Sequence, residues 1–194
     1  FKRLQKEIKK GNVSGVILFN KNISTKEDLI KMNEILLSSN DTTPFIAIDN
    51  EGGMIQRYNF RKHASASEVA NFSEKEAGIH YNSMAKFEKE LKINFNFAPC
   101  VDLAINKDSI IVKKQRSFSS DPDTVSKYAE IFVKEHNKNH IITSIKHFPG
   151  HGSVKGDTHK GFVDSTKSFK KEELKPYYAL KDYDKMRSEE RRVG

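Results

Sequence analysis

Four short apolar runs rich in β-branched and aromatic residues recur along the chain: Val13 to Phe19, Pro44 to Asp49, Ile93 to Pro99 and Ile141 to Phe148. Each closes on polar or turn-forming residues, the pattern of buried strands. Between them the apolar positions fall at helical spacing. One such stretch runs from Lys26 to Ser38 behind the cap-forming Ser24 and Thr25, a second from Ser73 to Leu91, and a third from Asp123 to Asn139 behind the Asp121-Pro122 turn. A further helix is expected to begin near Lys171, and Phe1 opens inside another. Strands alternating with helices predict an α/β fold with a parallel, helix-covered sheet, either doubly wound or closed into a barrel. No internal repeat or low-complexity linker interrupts the pattern.

Polar residues fall where such a fold places its chemistry. Asp49, Asp102 and the Lys146-His147 pair stand at the C-terminal ends of predicted strands, which implies one shared cleft. The net charge of +8 over 194 residues raises the question of a polyanionic partner. The lysines, however, alternate with glutamates in helix-like stretches such as KEIKK, KFEKELK and FKKEELK, the pattern of solvated helix faces and not of a nucleic-acid footprint. No run approaches the roughly 18 apolar residues of a membrane span, and the first twelve residues contain no apolar signal core. Because the chain opens inside a helix, its compartment stays open. Cys100 is the single cysteine, and its apolar neighbours suggest a buried small side chain, not a nucleophile.

Three clusters carry candidate chemistry. In Ile48 to Arg57, two adjacent glycines follow a strand and Asp49 at its end can accept hydrogen bonds from hydroxyls; a plain turn with a capping Asp explains the segment equally well. In Gln115 to Pro122, helix capping explains Ser119 to Pro122 but leaves Arg116, a five-donor group able to grip hydroxyls or a carboxylate. Lys146 to His159 holds three histidines, one aspartate and several glycines on a strand-attached loop. Asp157, two residues before His159, has the spacing of a His-Asp acid/base dyad. A zinc site made from His147, His151, Asp157 and His159 is the alternative, weakened by spacings that match no helical ligand pair. Lys146 and His147 are expected to be fixed at the strand end, and His151 to His159 to form a movable loop.

At these residues the sequence resembles the family 3 glycoside hydrolases, in particular the β-N-acetylglucosaminidases (β-N-acetylhexosaminidases) that include bacterial enzymes of cell-wall recycling. KHFPGHG at Lys146 to Gly152 followed by DTH at Asp157 to His159 is similar to the loop of that group. GVILFNKN at Gly15 to Asn22, IDNEGG at Ile48 to Gly53, NFAPCVD at Asn96 to Asp102 and RSFSSDP at Arg116 to Pro122 follow the family's order. The resemblance runs from about Val13 to Met186 and implies a (β/α)8 barrel, with residues 1–186 an incomplete barrel domain. It further implies that Asp49, Arg57, Arg116, Lys146 and His147 bind N-acetylglucosamine, that His159 is the general acid/base and Asp157 its orienting partner, and that neither metal nor organic cofactor is needed. Met54 stands where the family often has an arginine, and Cys100-Val101 where it has an aliphatic pair.

A retaining glycosidase also needs a nucleophile, which the resemblance places on a strand beyond Leu180. This sequence instead runs into RSEERRVG, so residues 187–194 are expected to be a foreign tail and the 194-residue chain to be inactive alone. A β-glucosidase of the same family would be expected to lack the DTH element. An N-acetylglucosaminide phosphorylase shares it, since a histidine acid/base carries no negative charge to repel phosphate. A non-catalytic carbohydrate-binding module has no use for His159.

Overall fold

A computed structural model of the chain describes residues 1–155, 164, 166–181 and 186–188. Five strands, β1 (Gly15–Leu18), β2 (Phe45–Ile48), β3 (Phe95–Asn96), β4 (Ile142–Ile145) and β5 (Met186–Ser188), form one sheet in sequential order, every neighbouring pair parallel. A doubly wound sheet reverses its strand order at a switch point, whereas a barrel winds in one direction throughout. The unbroken order decides for the barrel: the described residues form an open segment of a (β/α)8 architecture. β5 takes in Arg187 and Ser188; 189–194 lie outside the described residues.

Helix α1 (Lys2–Lys9) precedes β1, α2 (Lys26–Leu37) joins β1 to β2, α3 (Ala66–Val69) and α4 (Glu74–Glu90) join β2 to β3, α5 (Ile110–Lys113) and α6 (Pro122–Lys138) join β3 to β4, and α7 (Lys175–Leu180) precedes β5. Their starts follow from local chemistry. The Thr25 side chain accepts from the Asp28 amide, Ser73 and Glu76 cap each other reciprocally, and the Asp121 carboxylate accepts from the Asp123 and Thr124 amides with Pro122 in the first turn. α3 and α5, four residues each, are too short to leave a periodic signature.

Alternation along the strands separates two faces. Leu18, Ile46 and Ile48 are buried among Leu29, Leu36 and Leu91 beneath the helices. Gly15, Ile17, Phe45, Ala47, Phe95 and Phe97 turn the other way and border a hollow of about 300 Å³ on the face that becomes a barrel's interior. A second apolar cluster, built around Tyr81, Met84, Val125, Phe132 and Ile145, seats α4 and α6 on β4. β3 takes in only Phe95–Asn96 of the run from Ile93 to Pro99, and Pro99 offers no N–H to the ladder. Its carbonyl still accepts from the Lys146 amide at 3.2 Å, and Val101 donates to the Lys146 carbonyl at 2.8 Å, which holds the two strand ends side by side.

The lysine-glutamate stretches are solvated only in part. Lys26–Glu90, Lys92–Glu34 and Lys127–Glu74 are exposed ion pairs, each contributing about 0–1 kcal/mol. Glu88, inside KFEKELK, and Glu173, inside FKKEELK, are fully buried instead. Glu88 stands four residues after Met84 and seven after Tyr81, so it shares their inward face. No helix among the described residues is long and apolar enough to cross a membrane.

Candidate active site

β2 ends at Ile48, and Asp49 is the next residue. The chain then reverses through Gly52 and Gly53, whose φ angles of 89° and 56° favour glycine. A Cβ at Gly52 would lie 2.1 Å from the Ala64 carbonyl oxygen, and one at Gly53 2.6 Å from the Ser65 Cβ. The glycine pair therefore serves a tight turn laid against 63–65, and that turn delivers Glu51 and Arg57 back to the strand end.

There the charged side chains join in one network. Arg57 Nη2 donates to Asp49 Oδ2 at 2.9 Å, and Lys146 Nζ donates to Asp49 Oδ1 at 2.7 Å. Lys146 Nζ also lies 2.7 Å from Glu51 Oε1. Arg116 grips Glu51 with both arms, from Nε to Oε2 at 2.9 Å and from Nη2 to Oε1 at 2.7 Å. Its Nη2 also lies 2.9 Å from His147 Nε2. Burial pushes the Asp49 and Glu51 carboxyls up, but Lys146 with Arg57 or Arg116 outweighs it, and both sit below the ordinary carboxylate range. Lys146 is correspondingly raised: burial disfavours its charge, and Glu51 and Asp49 more than restore it. Lys146, Glu51 and Arg116 are buried, while Asp49, Arg57 and His147 keep 21%, 23% and 34% of their side-chain surface open.

Asp102, at the end of the β3 extension, accepts from the His147 ring Nδ1 at 2.5 Å and from the His151 amide at 2.8 Å. A guanidinium only donates, so His147 Nε2 facing Arg116 must accept. The ring is therefore neutral with its proton on Nδ1, directed at Asp102. Burial raises the Asp102 carboxyl, but His147, the His151 amide and the Cys100 thiol together outweigh it, and the group sits below the ordinary carboxylate range. Among the described residues, Cys100, Asp102 and His147 bring possible metal-ligand atoms within 4.8 Å of one another. That group fits a cation poorly: a metal on Nδ1 would move the proton to Nε2, N–H against N–H with Arg116.

The Cys100 thiol donates to Asp102 Oδ2 at 3.2 Å, and burial, with Asp102 next, pushes its pKa well up. A neutral thiol that is 2% exposed should react with a disulfide reagent on the order of 100-fold more slowly in the native protein than in denaturant. Equal rates in a stopped-flow comparison would contradict this buried setting.

The loop after His147 departs from expectation over its first half. His151 is tied to Asp102, the Gly152 and Ser153 amides donate to Glu173 Oε2 at 2.9 and 3.3 Å, and the Asn106 amide donates to the Gly152 carbonyl at 3.0 Å. Gly152, Ser153 and Val154 are buried. Hydrogen bonds to two buried carboxylates hold the chain through Val154, so the glycines here serve close packing. Asp157 and His159 lie outside the described residues. Around Arg116, Ser119 and Asp121 act as turn and helix caps, and the Ser117 hydroxyl donates to the Asp102 carbonyl at 2.6 Å, fixing the arginine's loop to the cleft. Met54 is 64% exposed.

The model of the glycosyl hydrolase family 3 N terminal domain matches residues 2–185. The chain belongs to this family. Beta-hexosaminidase A of Pseudoalteromonas piscicida is 34% identical over 172 residues, covering 81% of this chain and 28% of that protein. A beta-hexosaminidase of Xylella fastidiosa is 28% identical over 180 residues, 86% of this chain and 52% of its own. The crystal structure of NagZ from Neisseria gonorrhoeae in complex with N-trifluoroacetyl-D-glucosamine superposes with a TM-score of 0.80 at 26% identity, over 90% of this chain and 55% of that one. The chain thus spans about half or less of the length of these relatives. Family 3 membership accounts for the order of the strand-end motifs. The five residues that the resemblance implies, Asp49, Arg57, Arg116, Lys146 and His147, lie in one network, and Glu51 and Asp102, the carboxylates that complete it, have no binding role in the sequence reading. Glu51 had a usable signal, being the charged residue directly before a glycine pair at a strand end.

Proposed function

We propose that the strand-end cleft of this family 3 glycoside hydrolase domain binds a terminal β-linked N-acetylglucosamine, with peptidoglycan fragments as the substrate class. In a protein of the relatives' full length the bond would be hydrolysed with retention. A sugar presents hydroxyls that donate and accept, so its site needs charged acceptors and donors fixed in advance. The observation that carries the reading is the continuous chain of contacts from Arg57 through Asp49, Lys146, Glu51 and Arg116 to His147. Asp49, Arg57 and His147 are the partly open groups that meet hydroxyls, with Lys146 and Arg116 as the cationic floor. His147 keeps its ring oriented through Asp102. His159 would protonate the leaving oxygen and later activate water, oriented by Asp157, while a carboxylate attacks the anomeric carbon.

Calorimetric titration of this chain should detect N-acetylglucosamine binding that exceeds glucose binding. Asp49→Ala and Arg57→Ala should each weaken it roughly 10- to 100-fold, the range for a lost charged hydrogen bond. Indifference to both substitutions would remove the cleft from consideration. In a version extended to the relatives' full length, release of free sugar supports hydrolysis, and release of sugar 1-phosphate would assign the phosphorylase reaction instead.

A further inference from the structure

Behind the cleft lies a buried carboxylate that the site described so far does not use. Glu88 sits near the end of α4, where Glu74, Glu76 and Glu90 are all exposed, yet its own accessibility is 0%. A carboxylate in that position is costly unless its lone pairs are met, so its partners show what it holds. Oε1 accepts two amide N–H groups, from Asn50 Nδ2 and from Asn96 Nδ2, both at 2.8 Å. Oε2 faces His136 Nε2 at 3.5 Å. The His136 ring is itself held by its Nδ1, 2.8 Å from the Phe132 carbonyl, and no hydrogen bond joins Nε2 to Oε2 among the described residues.

The two asparagines are also joined to each other. Asn96 Oδ1 accepts from the Asn50 backbone amide at 3.0 Å, and Asn96 Nδ2 donates to the Asn50 carbonyl at 2.9 Å. Asn96 thereby grasps both polar groups of the Asn50 main chain. The second N–H of Asn50 Nδ2 goes to Tyr58 Oη at 2.7 Å. Rotating either amide by half a turn would set an oxygen against Glu88, so the carboxylate fixes which way both amides point. Asn50 lies between Asp49 and Glu51 in sequence, and its backbone determines where those two carboxylates meet Lys146.

We propose that Glu88 is a positioning residue of the sugar site. Through Asn50 and Asn96 it sets the main chain at 49–51 and hence the spacing of the Asp49–Lys146–Glu51 bridge, while touching no substrate itself. The proposal rests on the cleft being the sugar site, and the test keeps the two apart. Three variants are compared with the unaltered chain for thermal midpoint, for N-acetylglucosamine affinity and for hydrogen exchange of the Asn50 backbone amide. Glu88→Gln retains an oxygen for both asparagines and turns an amide N–H toward His136. Glu88→Leu removes the acceptor, and Leu36→Ala removes apolar packing beneath α2 without deleting any hydrogen bond of Glu88, Asn50 or Asn96.

Glu88→Gln should bind within about 3-fold of the unaltered chain, and Glu88→Leu at least about 10-fold more weakly with faster Asn50 exchange. Leu36→Ala should lose thermal stability and keep its affinity. Unchanged binding in Glu88→Leu, equal loss in Glu88→Gln, or equal loss in Leu36→Ala would each overturn the proposal. If the unaltered chain binds no sugar, the reading of the cleft fails, and Asn50 exchange still decides for Glu88: acceleration in Glu88→Leu alone supports positioning, and no acceleration defeats it.

Discussion

Replacing Lys146 by methionine is expected to lower the free energy of unfolding at pH 7 by about 3–5 kcal/mol, the usual cost of stranding a buried charge. Lys146 Nζ bridges Asp49 and Glu51 at 2.7 Å each, and methionine keeps the stem while deleting the charge. Arg116 remains on Glu51 and Arg57 on Asp49, which sets an upper bound on the loss. In the unaltered protein both carboxyls titrate below their ordinary values, so their contribution is complete above that range and disappears as acid protonates them. Without Lys146, burial is less opposed, both carboxyls move up, and protonation relieves the variant sooner. The deficit measured by urea unfolding should therefore be larger at pH 7 than at pH 3. A deficit under 1 kcal/mol at pH 7, or one independent of pH, would mean that the bridge is not the floor of the site.

A comparable effect on rate is expected at His159. In a version extended to the relatives' full length, His159→Ala should reduce kcat by roughly 10²- to 10⁴-fold on substrates whose leaving group must be protonated, and far less on activated aryl glycosides. Asp157→Ala should behave similarly but more mildly. The described part of the loop sharpens the idea, since contacts with Asp102, Asn106 and Glu173 anchor it through Val154. Equal losses on both substrate types would show that His159 is not the acid.

The sheet and its chemical edge were legible from sequence because strand-end chemistry leaves a linear trace: an apolar run, then Asp49, or then Lys146 and His147. Winding direction is not legible in the alternation itself, which doubly wound sheets and barrels share; the family resemblance implies the barrel, and the observed strand order bears it out. Glu88 and Glu173 were hidden because a glutamate among lysines has the composition of a solvated face. For Glu88 the helical spacing from Tyr81 and Met84 held the correction, as the inward face is set by position and not by residue type. Glu173 leaves no such trace, because its partners are main-chain amides of a loop twenty residues away. Glu51 is hidden by still longer separations, since its partners Arg116 and Lys146 lie 65 and 95 residues further along the chain.

One-directional winding has a consequence for where such a domain keeps its chemistry. Each residue of the charged network follows β2, β3 or β4, whereas the connections that lead into strands, Lys10 to Ser14, Ser38 to Pro44, Leu91 to Asn94 and Asn139 to Ile141, emerge at the opposite rim. The entry rim only joins helices to strands, whereas the exit rim carries both the candidate site and, through buried Lys146, Glu51 and Arg116, part of the fold's stability. Glu88 breaks this separation, because it is a helix residue on which the exit rim depends.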